Sequence, residues 1–402
     1  MRSARLAVLG SLVALGGAGA ALGIGAAAGW VGARSTKTIV IEKTLPQPAA
    51  ASVPALSPRA KPLLGNGFDP AAIYVRRSPG VVTIFSYFGG RAAQGSGFVV
   101  SHDGLVLTNS HVITDAGQSS PGSAVHPADA LYVEFADRDR VPAKIVGWDV
   151  FDDVGVVRID PEAHELTPVP LGDSSLVRVG EPVAAIGSPF GNENSLAVGV
   201  VSATHRSIDS LTSSYDLVDA IQVDAPINHG NSGGPLFDAR GRAIGINAQI
   251  RSDSGNAEGV GFAVPIDSAR RSMQELLTEG KVSYAYVGIT TEDLTPTLAR
   301  HLGYPVSHGA LLDSVLPDTP GAKAGLRGGT GQEQFDGVTV SRGGDVILAI
   351  DGRPVGSAED VVRIVAEDLR PGEAARFTVQ RGADRLVIPI TLAARPGNPR
   401  GR

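Results

Sequence analysis

The sequence predicts a mostly-β protein, two small antiparallel barrels or a sandwich followed by a separate carboxy-terminal domain. Three observations predict it. Gly 51 and Pro 27 make up about a fifth of 402 residues while aromatic residues are only 5%, which favours many short elements joined by turns. Short β-like runs fall in two clusters separated near Gly180, and the length suffices for two or three domains, each with its own core. A helical pattern then marks a boundary near Gly280.

The amino-terminal segment is different in kind. Arg2 and Arg5 precede a stretch without charge, Leu6–Val31, closed by Trp30 and Arg34. That length is nearer the roughly 20 residues a spanning helix needs than the 7–15 of a signal-peptide core, so residues 1–35 read as a retained signal anchor. Its many Gly and Ala residues and the small run Ala26-Ala27-Ala28 leave cleavage as the alternative, and either exports the remainder. Residues 36–68 carry Pro46, Pro48, Pro54, Pro58 and Pro62 with no apolar period and read as an extended linker.

In the body, 69–280, the first cluster of runs is Gly80 to Phe88, Gly95 to Ser101, Leu105 to Asn109, Ala130 to Phe135, Val141 to Gly147 and Gly155 to Ile159. His102-Asp103-Gly104 is a hairpin turn between two of them. The second cluster is Pro182 to Ile186, Ala197 to Ala203, Leu217 to Val223, Gly233 to Phe237, Ala243 to Gln249 and Gly261 to Val264. Ile266 to Glu279 reads as a helix with Asp267 as N-cap, an apolar face of Ala269, Met273, Leu276 and Leu277, and Gly280 as its stop. Residues 281–395 have their own strands, a short helix opened by Thr319-Pro320 and stopped near Gly325, and a helix from Ala358 to Leu369. Ser357 and Asp360 form a capping box for the last. Residues 396–402 are a tail.

Composition excludes several chemistries. The net charge is −6, and removing the first 35 residues takes away three arginines and no acid, so nucleic acid is not an expected partner. Without cysteine there is no disulfide, thiolate metal site or thiol nucleophile. His102, His126, His164 and His205 lack ligand spacing and read as surface residues, no phosphate loop is present, and no cofactor or metal is implied.

The sharpest local signal is His229-Gly230-Asn231-Ser232-Gly233-Gly234-Pro235-Leu236. A serine between glycines can sit on a turn whose N–H groups point outward, as oxyanion stabilisation beside a nucleophile requires. Upstream, Thr108-Asn109-Ser110-His111-Val112 ends a strand with histidine, and Asp152-Asp153-Val154-Gly155 opens one with carboxylates, giving the order His, Asp, Ser of one known triad arrangement. The nucleophile elbow of α/β-hydrolases fits the same string but needs a helix after the serine and a later histidine. Pro235 to Ile244 reads strand, turn, strand instead, and only His301 and His308 follow, both in the last domain.

With Gly95-Ser96-Gly97-Phe98, Ala185 to Gly191 and Gln222 to Leu236 added, the chain resembles an HtrA (Deg) serine protease of trypsin-like double-barrel fold. Tyr286-Val287-Gly288-Ile289, Ala322 to Leu326 and Gly344 to Gly352 resemble a PDZ domain, and the likeness covers about residues 69–393. The resemblance implies Ser232 as nucleophile, His111 as general base, Asp153 as its orienting acid, and the N–H groups of Gly230 and Ser232 as oxyanion hole. Asp153 is preferred to Asp152 because it directly precedes the Val-Gly-Val-Val strand, where the family carries its acid; spacing alone does not separate them. Pro226 stands where a basic-specific enzyme would carry an acid, so Pro226 and Ile227 imply an apolar pocket and cleavage after small aliphatic residues of unfolded proteins; Asp224 reads as structural. Tyr286 to Ile289 is expected to hold the carboxylate of peptide C-termini. A homotrimer is implied, with residues 6–31 in a membrane and the catalytic part outside the cytoplasm.

Three departures from the family pattern stand out: His229 in place of proline, read as an exposed loop residue; Gly155 in place of alanine; and a long Thr114 to Ala130 segment. Gly328 to Val340 is an insertion in the PDZ-like part. The competing class is a catalytically silent binding or holdase protein on a protease scaffold, which an intact triad opposes.

Overall fold

A computed structural model describes residues 67–116, 124–188, 194–227, 230–248 and 260–396. The expected anchor, nearly all of the linker, most of the tail and His229 lie outside the described residues. No helix among those described is long and apolar enough to cross a membrane.

Twelve strands form two closed barrels. In the first, β1 (Val81–Phe88), β2 (Arg91–Val99), β3 (Leu105–Thr108), β4 (Ala130–Glu134), β5 (Arg140–Asp149) and β6 (Val154–Ile159) close in the order β1-β2-β3-β6-β5-β4. In the second, β7 (Pro182–Gly187), β8 (Ser195–Ile208), β9 (Leu217–Val223), β10 (Pro235–Phe237), β11 (Ala243–Ala248) and β12 (Gly261–Pro265) close as β10-β11-β12-β9-β8-β7. Closure leaves no unpaired sheet edge, which settles barrels over a sandwich. β9 has the expected bounds, whereas the Gly233 to Phe237 run is shorter: strand pairing begins at Pro235, and Gly233-Gly234 belong to the preceding turn.

One core spans both barrels, with Phe98, Leu107 and Val156 from the first buried together with Ile186, Phe237 and Val264 from the second. Ile73 joins it from a helix that periodicity did not flag, α1 (Pro70–Arg77), opened by the Asp69 side chain accepting from Ala72 N and by Pro70 at its first position. After the tiny helix α2 (Ser110–Ile113), α3 (Ile266–Glu279) leaves the second barrel. Its N-cap is Pro265 and not Asp267, because the Asp267 carboxylate is taken by Ser174 N and Oγ, both at 2.7 Å, and by Arg270. Gly280 ends the helix in the left-handed conformation.

The last domain has the sheet order β14-β15-β18-β20-β21, from β14 (Ile289–Leu294), β15 (Gly309–Val315), β18 (Val346–Ile350), β20 (Ala374–Arg381) and β21 (Asp384–Thr391). β13 (Ala285–Tyr286) pairs with β22 (Ala393–Ala394), and β19 (Arg353–Pro354) pairs with β18. The insertion is a hairpin of β16 (Gly331–Phe335) and β17 (Val338–Arg342) turned by Asp336-Gly337. Helices α4 (Pro296–Leu302) and α5 (Pro320–Ala324) are capped by Thr295 and Thr319. The helix expected over Ala358 to Leu369 is α6 (Ala358–Arg363), with its Ser357/Asp360 capping box, followed by a π-helical turn, Ile364–Asp368.

That π-helical turn faces the protease-like barrels. Ala366 is buried with Phe151, Val218 and Tyr284, and the Glu367 Oε1 is buried without a hydrogen bond. Burial, then the charges of Asp219 and Asp152, push the Glu367 carboxyl up to about 8. The folded state therefore binds a proton that the unfolded chain releases at lower pH, so stability falls as pH rises through that window. The thermal midpoint of the unsubstituted chain is expected to drop between about pH 4.5 and pH 8, the ordinary and the raised value of this carboxyl, and Glu367→Gln to flatten that slope, both read by calorimetry.

Candidate active site

The turn from β5 to β6 positions Asp153. Asp149 Oδ1 accepts from Phe151 N at 2.9 Å and Asp152 N at 3.4 Å, and the chain then enters β6 through Asp153, whose φ of 53° lies in the left-handed region. β3 pairs with β6 so that Thr108 lies opposite Gly155, which sets Asn109, Ser110 and His111 over Asp153. Asp153 Oδ2 accepts from His111 Nδ1 at 2.7 Å, and Oδ1 from Ser110 Oγ at 2.7 Å and His111 N at 3.1 Å. The Asp153 carbonyl accepts from Asn109 Nδ2 at 2.8 Å. With Asp153 Oδ2 as its acceptor, Nδ1 of the ring carries the proton, leaving Nε2 free to accept. Burial lowers the His111 pKa, but the charge and hydrogen bond of Asp153 outweigh it and the net shift is upward. Gly155 fits the same crowding: a Cβ there would stand 2.8 Å from Asn109 O and 2.9 Å from Ile113 Cδ1.

Ser232 sits on a turn braced by the first barrel. Its carbonyl accepts from Ser96 N at 2.8 Å, and Ser96 Oγ donates to Gly230 O at 2.5 Å while accepting from Ser188 N at 2.8 Å. Thr108 Oγ1 in turn donates to Ser96 O at 2.6 Å, so the serine turn is tied to the strand that leads to His111. Gly230 has φ 101° and Gly233 φ 86°, conformations L side chains rarely adopt, and a Cβ on Gly233 would stand 2.1 Å from Ser96 O. Ser232 is 4% exposed, and its Oγ makes no hydrogen bond to His111 or to any other described residue.

Ser96 and Ser110 were visible in the sequence only as parts of motifs, without roles. Ser96→Ala removes two buried hydrogen bonds and is expected to cost about 1–3 kcal/mol of stability and to lower kcat, checked by denaturant titration and a proteolysis assay.

Of the expected pocket residues, Ile227 is packed in the core of the second barrel with Val183, Val223 and Leu236. Pro226 is exposed, and its carbonyl accepts from Asn231 Nδ2 at 3.3 Å. Asp224 Oδ1 accepts from Val200 N at 2.6 Å, a structural bond that ties β9 to β8.

In the last domain, Tyr286 pairs with Ala393, Val287 is buried, and the carbonyls of Val287 and Gly288 accept from Gly321 N at 2.8 Å and Leu316 N at 2.9 Å. Gly288 has φ 79° against Thr319. Ile289 opens β14, which is the edge strand of its sheet and so has one side open for pairing.

Two closed barrels with a His–Asp pair from one and a serine turn from the other define a trypsin-like peptidase domain, here followed by a PDZ domain. Residues 95–246 match the trypsin-like peptidase domain family and residues 285–392 the PDZ domain family. The structure is similar to that titled HtrA-type protease AlgW with tripeptide, with a TM-score of 0.66 and 33% identity over 82% of this chain and 98% of that one. It is also similar to the serine endoprotease from Yersinia pestis, with a TM-score of 0.58 and 28% identity over 82% and 98%. The probable periplasmic serine endoprotease DegP-like of Marinomonas sp. (strain MWYL1) is 39% identical over 312 residues, 78% of this chain and 59% of that protein. That of Brucella suis biovar 1 (strain 1330) is 38% identical over 77% and 54%. The chain belongs to the HtrA-type protease family, and it spans less than three fifths of the length of these two DegP-like relatives.

Proposed function

We propose that the chain is an HtrA-type serine endopeptidase acting on unfolded or damaged exported proteins outside the cytoplasm. The observation that carries this is the His111–Asp153 pair, its aspartate buried, beside the braced Ser232 turn. Ser232 Oγ attacks the scissile carbonyl carbon as His111 Nε2 takes its proton. The imidazolium, stabilised by Asp153, then protonates the leaving amine, and water repeats the sequence on the acyl-enzyme. The N–H groups of Gly230 and Ser232 receive the oxyanion, each donor worth about 3–4 kcal/mol. The hydrogen bond between Ser232 and His111 must first form, as is common before substrate binds.

The base works only as neutral imidazole, and its pKa is raised. Activity toward casein is therefore expected to fall on acidification with a midpoint above about 6.5, and Asp153→Asn to move that midpoint downward. With no acid placed for a basic side chain, mass spectrometry of digested β-casein is expected to show cuts after Val, Ala, Ile, Thr or Leu. A majority of cuts after Lys or Arg, or no cuts at all, would refute the reading; no cuts would favour the silent holdase.

The PDZ loop Tyr286 to Ile289, with β14 as pairing strand, is proposed to hold peptide C-termini. Membrane attachment through residues 6–31 and a homotrimer belong to the same proposal, and rest on the sequence and on family resemblance.

A further inference from the structure

Asp152, the carboxylate next to the triad aspartate, has no part in the mechanism above and is nevertheless buried. Its Oδ2 receives Arg271 Nη2 at 3.1 Å, and Nη1 of the same guanidinium donates to the carbonyl of Ala366, in the π-helical turn of the PDZ domain, at 2.7 Å. Arg271 lies on α3, its side chain 16% exposed, its plane over the Tyr284 ring at 4.6 Å. One residue further along α3, Ser272 Oγ donates at 2.7 Å to Asp149 Oδ2, which also accepts from Tyr284 OH at 2.5 Å. Asp149 is the residue whose other oxygen caps the turn leading to Asp153. That turn is thus held from beneath by α3 and, through one arginine, by the PDZ domain.

We propose that Asp152 is a positioning residue that, paired with Arg271, ties the turn carrying Asp153 to the Ala366 carbonyl, so that the docked PDZ domain sets the orientation of the triad aspartate. The inference rests on the protease reading above. Arginine suits this place because its planar fork reaches two oxygens on two domains at once, which lysine cannot do. The other charged or titratable groups at the junction are Asp149, Asp219, Glu275, Glu367, Tyr284, Arg363 and Arg395. Burial, then Asp149, push the Asp152 carboxyl up to about 6 against the pull of Arg271, so the pair is ionised at neutral pH. Asp153, one bond along the chain in a left-handed conformation, has little freedom to absorb a shift of Asp152 without turning its own carboxylate from His111.

The test compares the full chain with Asp152→Asn, Arg271→Met and the double variant on β-casein, with rates expressed per site titrated by a fluorophosphonate. Each single change is expected to lower kcat about 10- to 100-fold with KM little altered, and to move the acid midpoint of kcat/KM downward, which a purely structural role would not do. The double variant is expected to be no worse than the poorer single, because both act through one link. Amide hydrogen exchange at residues 364–370 is expected to quicken in Asp152→Asn while β20 and β21 keep their protection. Should Arg271→Met fail to fold, Arg271→Lys takes its place with the same non-additivity. Rates per titrated site and an acid midpoint that do not change, fully additive effects, or unchanged exchange would overturn the proposal alone. Absence of labelling at Ser232 in the unsubstituted chain would overturn the protease reading and this proposal with it.

Discussion

Ser232→Ala is expected to lower the rate of casein cleavage about 10⁶-fold while leaving the free energy of unfolding within about 1 kcal/mol of that of the unsubstituted chain. The asymmetry follows from the structure. Ser232 Oγ makes no hydrogen bond among the described residues, so deleting it breaks none there, and the turn is held by the Ser232 carbonyl, Ser96 and the glycines, which the change leaves in place. Only the nucleophile is lost. Cleavage at the unsubstituted rate would end the triad assignment, and a large loss of stability would mean that the turn is braced by the side chain after all. Gel densitometry and calorimetry on one preparation read both.

Asp153→Asn is expected to lower kcat about 10⁴-fold. Asn can accept through only one of its two terminal atoms, so either Ser110 Oγ and His111 N lose their acceptor or Nδ1 of His111 does, and in the second case the ring presents the wrong tautomer to Ser232. Asp152→Asn, next door, is expected to cost at most about 100-fold. The two aspartates, which sequence spacing does not separate, part by two orders of magnitude because one touches the imidazole and the other touches Arg271. Equal losses at both positions would show that the loop fails as a unit.

How far the sequence goes depends on whether a feature is local. The twelve barrel strands, the bounds of α3 and the Ser357/Asp360 capping box were legible because alternation, helical period and turn residues are written within a few neighbours. The residues proposed as the triad can be picked out because their three motifs each carry a local turn or strand end. Features decided by partners far along the chain were not. Asp267 looked like an N-cap until Ser174, far upstream, took its carboxylate. Ile227, beside Pro226, packs into the second barrel, where Gly261, more than thirty residues on, makes room for it. α1 was hidden at the end of a proline-rich linker, although Asp69-Pro70 is a good helix start. Asp152 gave no sign of its arginine, which lies on α3, nor of the PDZ carbonyl beyond.

The central claim is that Ser232 is a nucleophile activated by His111 and Asp153. The most direct measurement is reaction of the native full chain with a fluorophosphonate, followed by peptide mapping in a mass spectrometer. Attack by an activated serine displaces fluoride and leaves the phosphonyl group on oxygen, so one adduct is expected per chain, on Ser232, absent from denatured protein and strongly slowed by His111→Ala. An unmodified Ser232 in the native chain, or an adduct there that forms as fast without His111, would contradict the account.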